Sequence, residues 1–144
     1  MTGPATRGRT IPPLQYRFPE GETFKHSKMK WADCSTMWAF PVADPVLAAR
    51  LRDVSARFFV AIKGASFGRC DLRVDRSGTP CMLEINPNCS VYYLPEDAGS
   101  ADLCIAHDPE GHVGFTRQLI RTALHRRRCR AGLHDTPTPT GSGR

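Results

Sequence analysis

The sequence predicts an α+β domain: an antiparallel sheet built on one β-hairpin, with an amphipathic helix before it and another after it. Three features predict this. An apolar stripe of helical period runs from Leu47 to Ile62, two runs of period two flank a turn at residues 76–79, and a second helical stripe covers Phe115 to Leu124.

The first helix, expected over 44–63, is the clearest. Asp44 suits the N-cap and Pro45 the first helical position, and Leu47, Leu51, Val54, Phe58 and Ile62 follow at steps of 4, 3, 4 and 4. Gly64 stands where a helix-ending glycine belongs. The hairpin, expected over 66–86, comes next. In SFGRCDLRVD, Phe67, Arg69, Asp71, Arg73 and Asp75 alternate with Cys70, Leu72 and Val74; in PCMLEIN, Cys81, Leu83 and Ile85 alternate with Met82, Glu84 and Asn86. The apolar sets must share the buried face, because a one-residue slip would expose one of them entirely. With a four-residue loop at 76–79 this fixes the register and sets Asp71 directly opposite Glu84. Arg69, Asp71, Glu84 and Asn86 then share the other face. The last helix is expected over about 112–125, with Phe115, Leu119, Ile120 and Leu124 on one side.

The 144 residues are 40% hydrophobic and 24% charged, which fits one domain with an apolar core. No apolar run approaches the ~20 residues of a membrane helix, and the N-terminus lacks the apolar region of a secretory signal, so a cytoplasmic protein without membrane contact is expected. The six cysteines, Cys34, Cys70, Cys81, Cys89, Cys104 and Cys129, form no CxxC pair, and most are expected as buried thiols. Net charge is +6, but residues 31–120 hold eight Lys/Arg against eleven Asp/Glu, so the basic charge lies in the flanks. A nucleic-acid binder that is basic over its folded body is excluded by that distribution. Residues 1–13 and 126–144, polar and Pro-, Thr- or Arg-rich, are expected to be disordered around a body at 14–125.

Two carboxylates opposed across a hairpin repel, so something positive is expected between them. Arg69 or Arg73 would serve in a solvated, salt-bridged face. A divalent ion would serve as well, because Asp71, Glu84 and Asn86 offer hard oxygen donors of the kind Mg²⁺ takes together with phosphates and water.

The run GASFGRCDLRVDRSGTPCMLEINPN resembles the metal-binding hairpin of the ATP-grasp superfamily, in particular its D-alanine:D-alanine ligase-like branch, where an Arg-x-Asp strand is followed by Leu-Glu-x-Asn. Upstream, Phe24 to Trp31 is similar to that branch's Phe-x5-Lys-aromatic segment, and Phe40-Pro41-Val42 to its next element. The likeness covers residues 14–125. It implies the C-terminal subdomain of an ATP-grasp fold and an ATP- and Mg²⁺-dependent (or Mn²⁺-dependent) ligase joining a carboxylate to an amine through an acyl-phosphate. Asp71, Glu84 and Asn86 would hold the metal, with Glu84, Asn86 and Lys30 in contact with the nucleotide. Arg69 would stabilise the transferred phosphoryl group, as phosphoryl transfer asks mainly for cations and positioning. Ser100 is a candidate acceptor-binding hydroxyl, although a loop serine also serves simply as a turn former. The branch's Pro-Gly after the asparagine is replaced here by Asn86-Pro87-Asn88-Cys89. Its N-terminal, adenine-binding subdomain has no counterpart before residue 14 and is expected in cis or in trans.

The alternative is a non-catalytic interaction module derived from such a half-domain, binding a partner through the surface the other half would cover. Minor candidates are a His107/His112 metal pair, a nucleophilic Cys89, a ligand cage at Trp31 and Trp38, and an anion-binding cluster at Arg126, Arg127, Arg128 and Arg130. Each has a plainer reading: a loop, a buried thiol, packing residues and a solvated tail.

Overall fold

The computed structural model describes residues 9–24 and 38–132. Lys30, Trp31, Cys34 and most of the Phe24–Trp31 segment lie outside them, as do residues 133–144. The fold is mixed α+β. Its elements are β1 (Leu14–Arg17), β2 (Trp38–Pro41), α1 (Pro45–Ala61), β3 (Arg69–Val74), β4 (Pro80–Asn86), a 3₁₀ turn at Pro95–Asp97, α2 (Ser100–Ala106) and α3 (Gly111–Arg130). The sheet expected as one is two antiparallel pairs, β1 with β2 and β3 with β4. In β1, Leu14 and Tyr16 turn inward while Gln15 and Arg17 face water, the alternation of a half-buried strand. Trp38, read as a packing residue, is 69% exposed at the start of β2.

Helix α1 forms as its sequence dictates at the N-terminus: Asp44 Oδ1 accepts the Val46 N–H at 2.8 Å and Pro45 fills the first turn. The C-terminus is built differently from expectation. Lys63, not Gly64, takes the left-handed conformation (φ +57°), and the Lys63 and Gly64 amides donate to the Val60 and Phe59 carbonyls. That is a Schellman ending with lysine at the left-handed position. Gly64 is needed for another reason: a Cβ there would lie 2.5 Å from the Phe59 ring. Helix α1 packs on β4, and Leu51 is its buried residue.

Ser100, assigned to a loop by the sequence, opens α2 after the extended Gly99. Helices α2 and α3 pack together, and Ile105 of α2 is 2% exposed. Helix α3 runs to Arg130, so Arg126–Arg130 continue the helix and are not part of a disordered tail. Phe67 and Phe115 meet edge to face at 5.4 Å, and the Arg126 guanidinium donates to the Ala65 carbonyl at 2.9 Å. These contacts tie α3 to the chain just before β3. The expected disorder of residues 1–13 also fails at its end: Arg9 pairs with Asp108 and Glu110, and Thr10 accepts hydrogen bonds from Arg52.

Among the described cysteines Cys89 is buried, Cys70 and Cys104 are half-buried, and Cys81 and Cys129 are exposed; all five are free thiols. Burial of most of them was expected and is not what the fold provides.

Candidate functional site

The hairpin sets the site. Its register places Arg69 opposite Asn86, Cys70 opposite Ile85 and Asp71 opposite Glu84. Opposed residues share a face and alternate residues return to it, so Arg69, Asp71, Glu84 and Asn86 lie on one side of the ladder, as the alternation of polar residues requires.

Beyond Asp71 the expected register breaks. Leu72 pairs with Met82, Arg73 with Cys81 and Val74 with Pro80, leaving Leu83 as the extra residue of a bulge. Leu83 is consequently 62% exposed and Cys81 is exposed too, although the alternation placed both on the buried face. The cause sits in the turn. Asp75 joins a five-residue loop: its amide donates to the Thr79 carbonyl, and its Oδ1 accepts from the Ser77 amide, the Ser77 hydroxyl and the Thr79 amide at 2.6–2.8 Å. Gly78 supplies the positive φ (+80°) that the loop needs. The Ser77 and Thr79 hydrogen bonds hold the Asp75 carboxyl below the usual carboxylate range. This acceptor cluster favours a loop one residue longer than the four expected, and the bulge restores the register before Asp71 meets Glu84.

On the site face, Arg69 grips Asp71 with two parallel hydrogen bonds, Nε to Oδ1 at 2.7 Å and NH2 to Oδ2 at 2.8 Å. That bidentate pair raises the pKa of the guanidinium, against the opposing effect of burial. Arg69 thus supplies the positive charge that Asp71 needs, from two residues back on the same strand. Glu84 is exposed, and Asn86 Oδ1 accepts the Asn88 amide at 2.9 Å, which turns the chain out of β4. The donor set of two carboxylates and an amide suits Mg²⁺ chemically. Among the described residues no group of three or more His, Cys, Asp or Glu side chains is placed to hold a metal.

Three residues not foreseen as neighbours border this face. Tyr16 on β1 donates its hydroxyl hydrogen bond to Ser100 Oγ at 2.7 Å, and it is electrostatically coupled to Arg69 and Asp71. Burial raises the Tyr16 pKa, with the Ser100 bond opposing. Ser100 therefore edges the same site. Cys89 and Cys104 also feel Arg69, but burial outweighs it and pushes both thiols up. Cys89 at 5% exposure is a protonated core thiol, as its plainer reading held. The sequence carried no signal for Tyr16, because a tyrosine in a short strand reads as a half-buried packing residue.

A second polar cluster lies where the chain returns from β4. Asp102, 3% exposed, accepts the Tyr92 amide at 2.7 Å, the Tyr93 amide at 3.3 Å and His112 Nε2 at 2.8 Å. Burial acts to raise its pKa, but these donors, His112 first, outweigh it and hold the carboxyl below its ordinary value. His112 thus partners Asp102, while His107 is exposed on the loop. Tyr92 adopts φ +68°, and its ring leans on His112 and Phe115.

In comparisons with known proteins, no family model and no solved structure matches the chain. A 40-residue stretch, 28% of the chain, is 52% identical to part of an uncharacterised protein, y4sG, of Sinorhizobium fredii (strain NBRC 101917 / NGR234). The match covers 12% of that protein's length. No helix among the described residues is long and apolar enough to cross a membrane.

Proposed function

We propose that this chain carries the metal- and phosphate-handling half of an ATP- and Mg²⁺-dependent carboxylate–amine ligase of the ATP-grasp kind. The observation that carries the reading is the register of the hairpin: Asp71 opposite Glu84 and Arg69 opposite Asn86. It collects three oxygen donors and one guanidinium on a single face. A divalent ion held by Asp71, Glu84 and Asn86 would neutralise the β- and γ-phosphates of ATP. Arg69 has the planar fork that fits a phosphoryl oxygen pair as well as it fits Asp71. With a cation held at Asp71, that guanidinium would be free to stabilise the transferred phosphoryl group or the acyl-phosphate. Ser100 Oγ accepts the Tyr16 hydrogen bond, which leaves its own O–H as a donor for a substrate carboxylate. Lys30 would add a phosphate contact. The adenine-binding subdomain would come from elsewhere in the same polypeptide or from another chain.

The test is a titration of the full chain with Mn²⁺ and ATP, followed by paramagnetic broadening of amide NMR signals. The signals of residues 69–71 and 84–86 should broaden first, and Asp71→Asn combined with Glu84→Gln should abolish the effect while the fold is retained. Equal Mn²⁺–ATP affinity in the double variant refutes the ligase reading.

A second reading, an interaction module, draws on one observation: Trp38, Val46, Val60, Ile62, Leu83, Leu94, Val113, Ile120 and Leu124 are all exposed apolar side chains. On that reading the chain binds a protein partner and is indifferent to Mn²⁺ and ATP.

A further inference from the structure

We infer that the outward face of α3 is a docking surface for an acidic amphipathic helix of a partner protein. Helix α3 holds six arginines and no acidic residue in its 20 positions. Its inward side, with Phe115 and Leu119, faces the body. On its outward side Val113, Ile120 and Leu124 are 69%, 56% and 51% exposed, so Ile120 and Leu124 do not share the face of Phe115 and Leu119 as the sequence pattern places them. At about 100° per residue these three fall within about 40° of arc, and Arg117 and Arg121 lie along one edge of the strip.

Val113, Thr116, Arg117, Ile120 and Arg121 together line a shallow groove of about 430 Å³ whose surface is mostly apolar. Residues spaced i, i+3, i+4 and i+7 frame the hole into which a facing helix inserts one side chain. Val113 and Ile120 make its lining aliphatic, the Thr116 hydroxyl is already engaged with the His112 carbonyl and Tyr92, and Arg117 and Arg121 bring the cationic charge. The matching helix carries an aliphatic residue directed at Ile120 and Glu or Asp residues about one turn apart, reaching Arg117 and Arg121.

Charge and the apolar strip together select this occupant over three others. A second copy of α3 would set arginine against arginine, and neither α1, whose one acidic residue Asp53 pairs with Arg57, nor α2, whose Asp102 is buried, offers an acidic face. Nucleic acid would take the arginines but leave Val113, Ile120 and Leu124 against phosphates. An anionic bilayer rewards a broad apolar band with aromatic side chains, whereas this strip is three aliphatic residues long, only about 40° of arc wide, and has no aromatic side chain. The inference stands apart from the ligase reading, since it uses no residue of the hairpin.

The experiment is fluorescence anisotropy of a labelled synthetic helix of about three heptads, with leucine along its seam and glutamate flanking it, titrated with the full chain. Binding should weaken at least about tenfold with Ile120→Asp and with Arg117→Glu/Arg121→Glu. A peptide with lysine in place of glutamate should ignore the wild-type chain and bind the Arg117→Glu/Arg121→Glu variant. All three sites are exposed, and circular dichroism checks that each variant keeps its helices. The inference is overturned if the acidic peptide does not bind, or if a version with glutamine in place of leucine binds equally well. It is also overturned if vesicles of phosphatidylcholine with phosphatidylglycerol, or a short DNA duplex, bind the chain more tightly than the peptide and through the same residues.

Discussion

Asp102 shows how one side chain organises the segment that follows the site. Its carboxylate collects two backbone amides from the Tyr92–Tyr93 turn and the ring of His112 from α3, so a buried charge is compensated by three donors. The left-handed Tyr92 is held against its own steric preference by that capture. Asp102→Asn keeps the shape but replaces one acceptor oxygen with a donor that faces N–H groups, and should destabilise the fold by about 1–3 kcal/mol. The pH dependence follows from the lowered pKa. A carboxyl whose folded value lies below its unfolded value of about 3.9 contributes its full stabilisation above that value and loses it as pH falls through the folded one. Urea unfolding between about pH 2.5 and 6 should therefore show a fall below pH 4 in the wild type that is shallower in Asp102→Asn. Parallel curves would mean that other carboxyls control the acid limb. Tyr16→Phe removes the donor to Ser100, and in an active ligase it should raise KM for the carboxylate substrate more than it lowers kcat. Loss of kcat alone would place Ser100 outside substrate contact.

At the level of elements, the hairpin separates what local pattern specifies from what it does not. Helix α1 was legible because its cap, its proline and its apolar spacing all point the same way. The pairing of Asp71 with Glu84 was legible because face alternation leaves few registers. The bulge at Leu83 was not, since it arises from an aspartate that recruits Ser77 and Thr79 into a longer loop, and alternation counts residues without knowing which one is extra. Nor was the pairing of β1 with β2, two four-residue strands too short for a period to stand out, or α2, with seven residues and no side-chain cap. The same logic hid Lys63: the nearby glycine satisfied the expected pattern one position too late. Two variants check these points. Leu83→Glu should shift stability by no more than about 0.5 kcal/mol, because Leu83 leaves the ladder into solvent; a loss of several kcal/mol would restore the unbroken register. Lys63→Gly relieves a left-handed lysine and should gain about 0.5–1 kcal/mol, the steric relief offset in part by a more flexible unfolded chain. Thermal unfolding reads both.

Across the whole molecule, burial is thin. Among the described residues the buried apolar side chains are Leu51, Cys89, Ala101 and Ile105, while large apolar groups on α1, β4, the 92–94 segment and α3 face water. A domain that buries so little leans on polar ties between distant parts of the chain. The segment leading into β1 supplies several. Arg9 reaches the α2–α3 junction, where it pairs with Asp108, 9% exposed, and with Glu110 at 3.2 Å. Thr10 receives two hydrogen bonds from Arg52 on α1 at 3.0 and 3.1 Å, and the Pro13 carbonyl accepts the Val42 amide at 3.2 Å. One extended stretch, residues 9–13, thus joins the first helix, the β1–β2 pair and the last two helices as a strap. Because Asp108 is buried, its pairing is screened less than a surface ion pair. Arg9→Ala should cost about 1–2 kcal/mol, and removal of residues 1–10 should cost more by also freeing Arg52. If the truncated chain and the full chain share one urea midpoint, the strap carries no stability, and the cohesion of α1 with α2 and α3 must come from apolar contact alone.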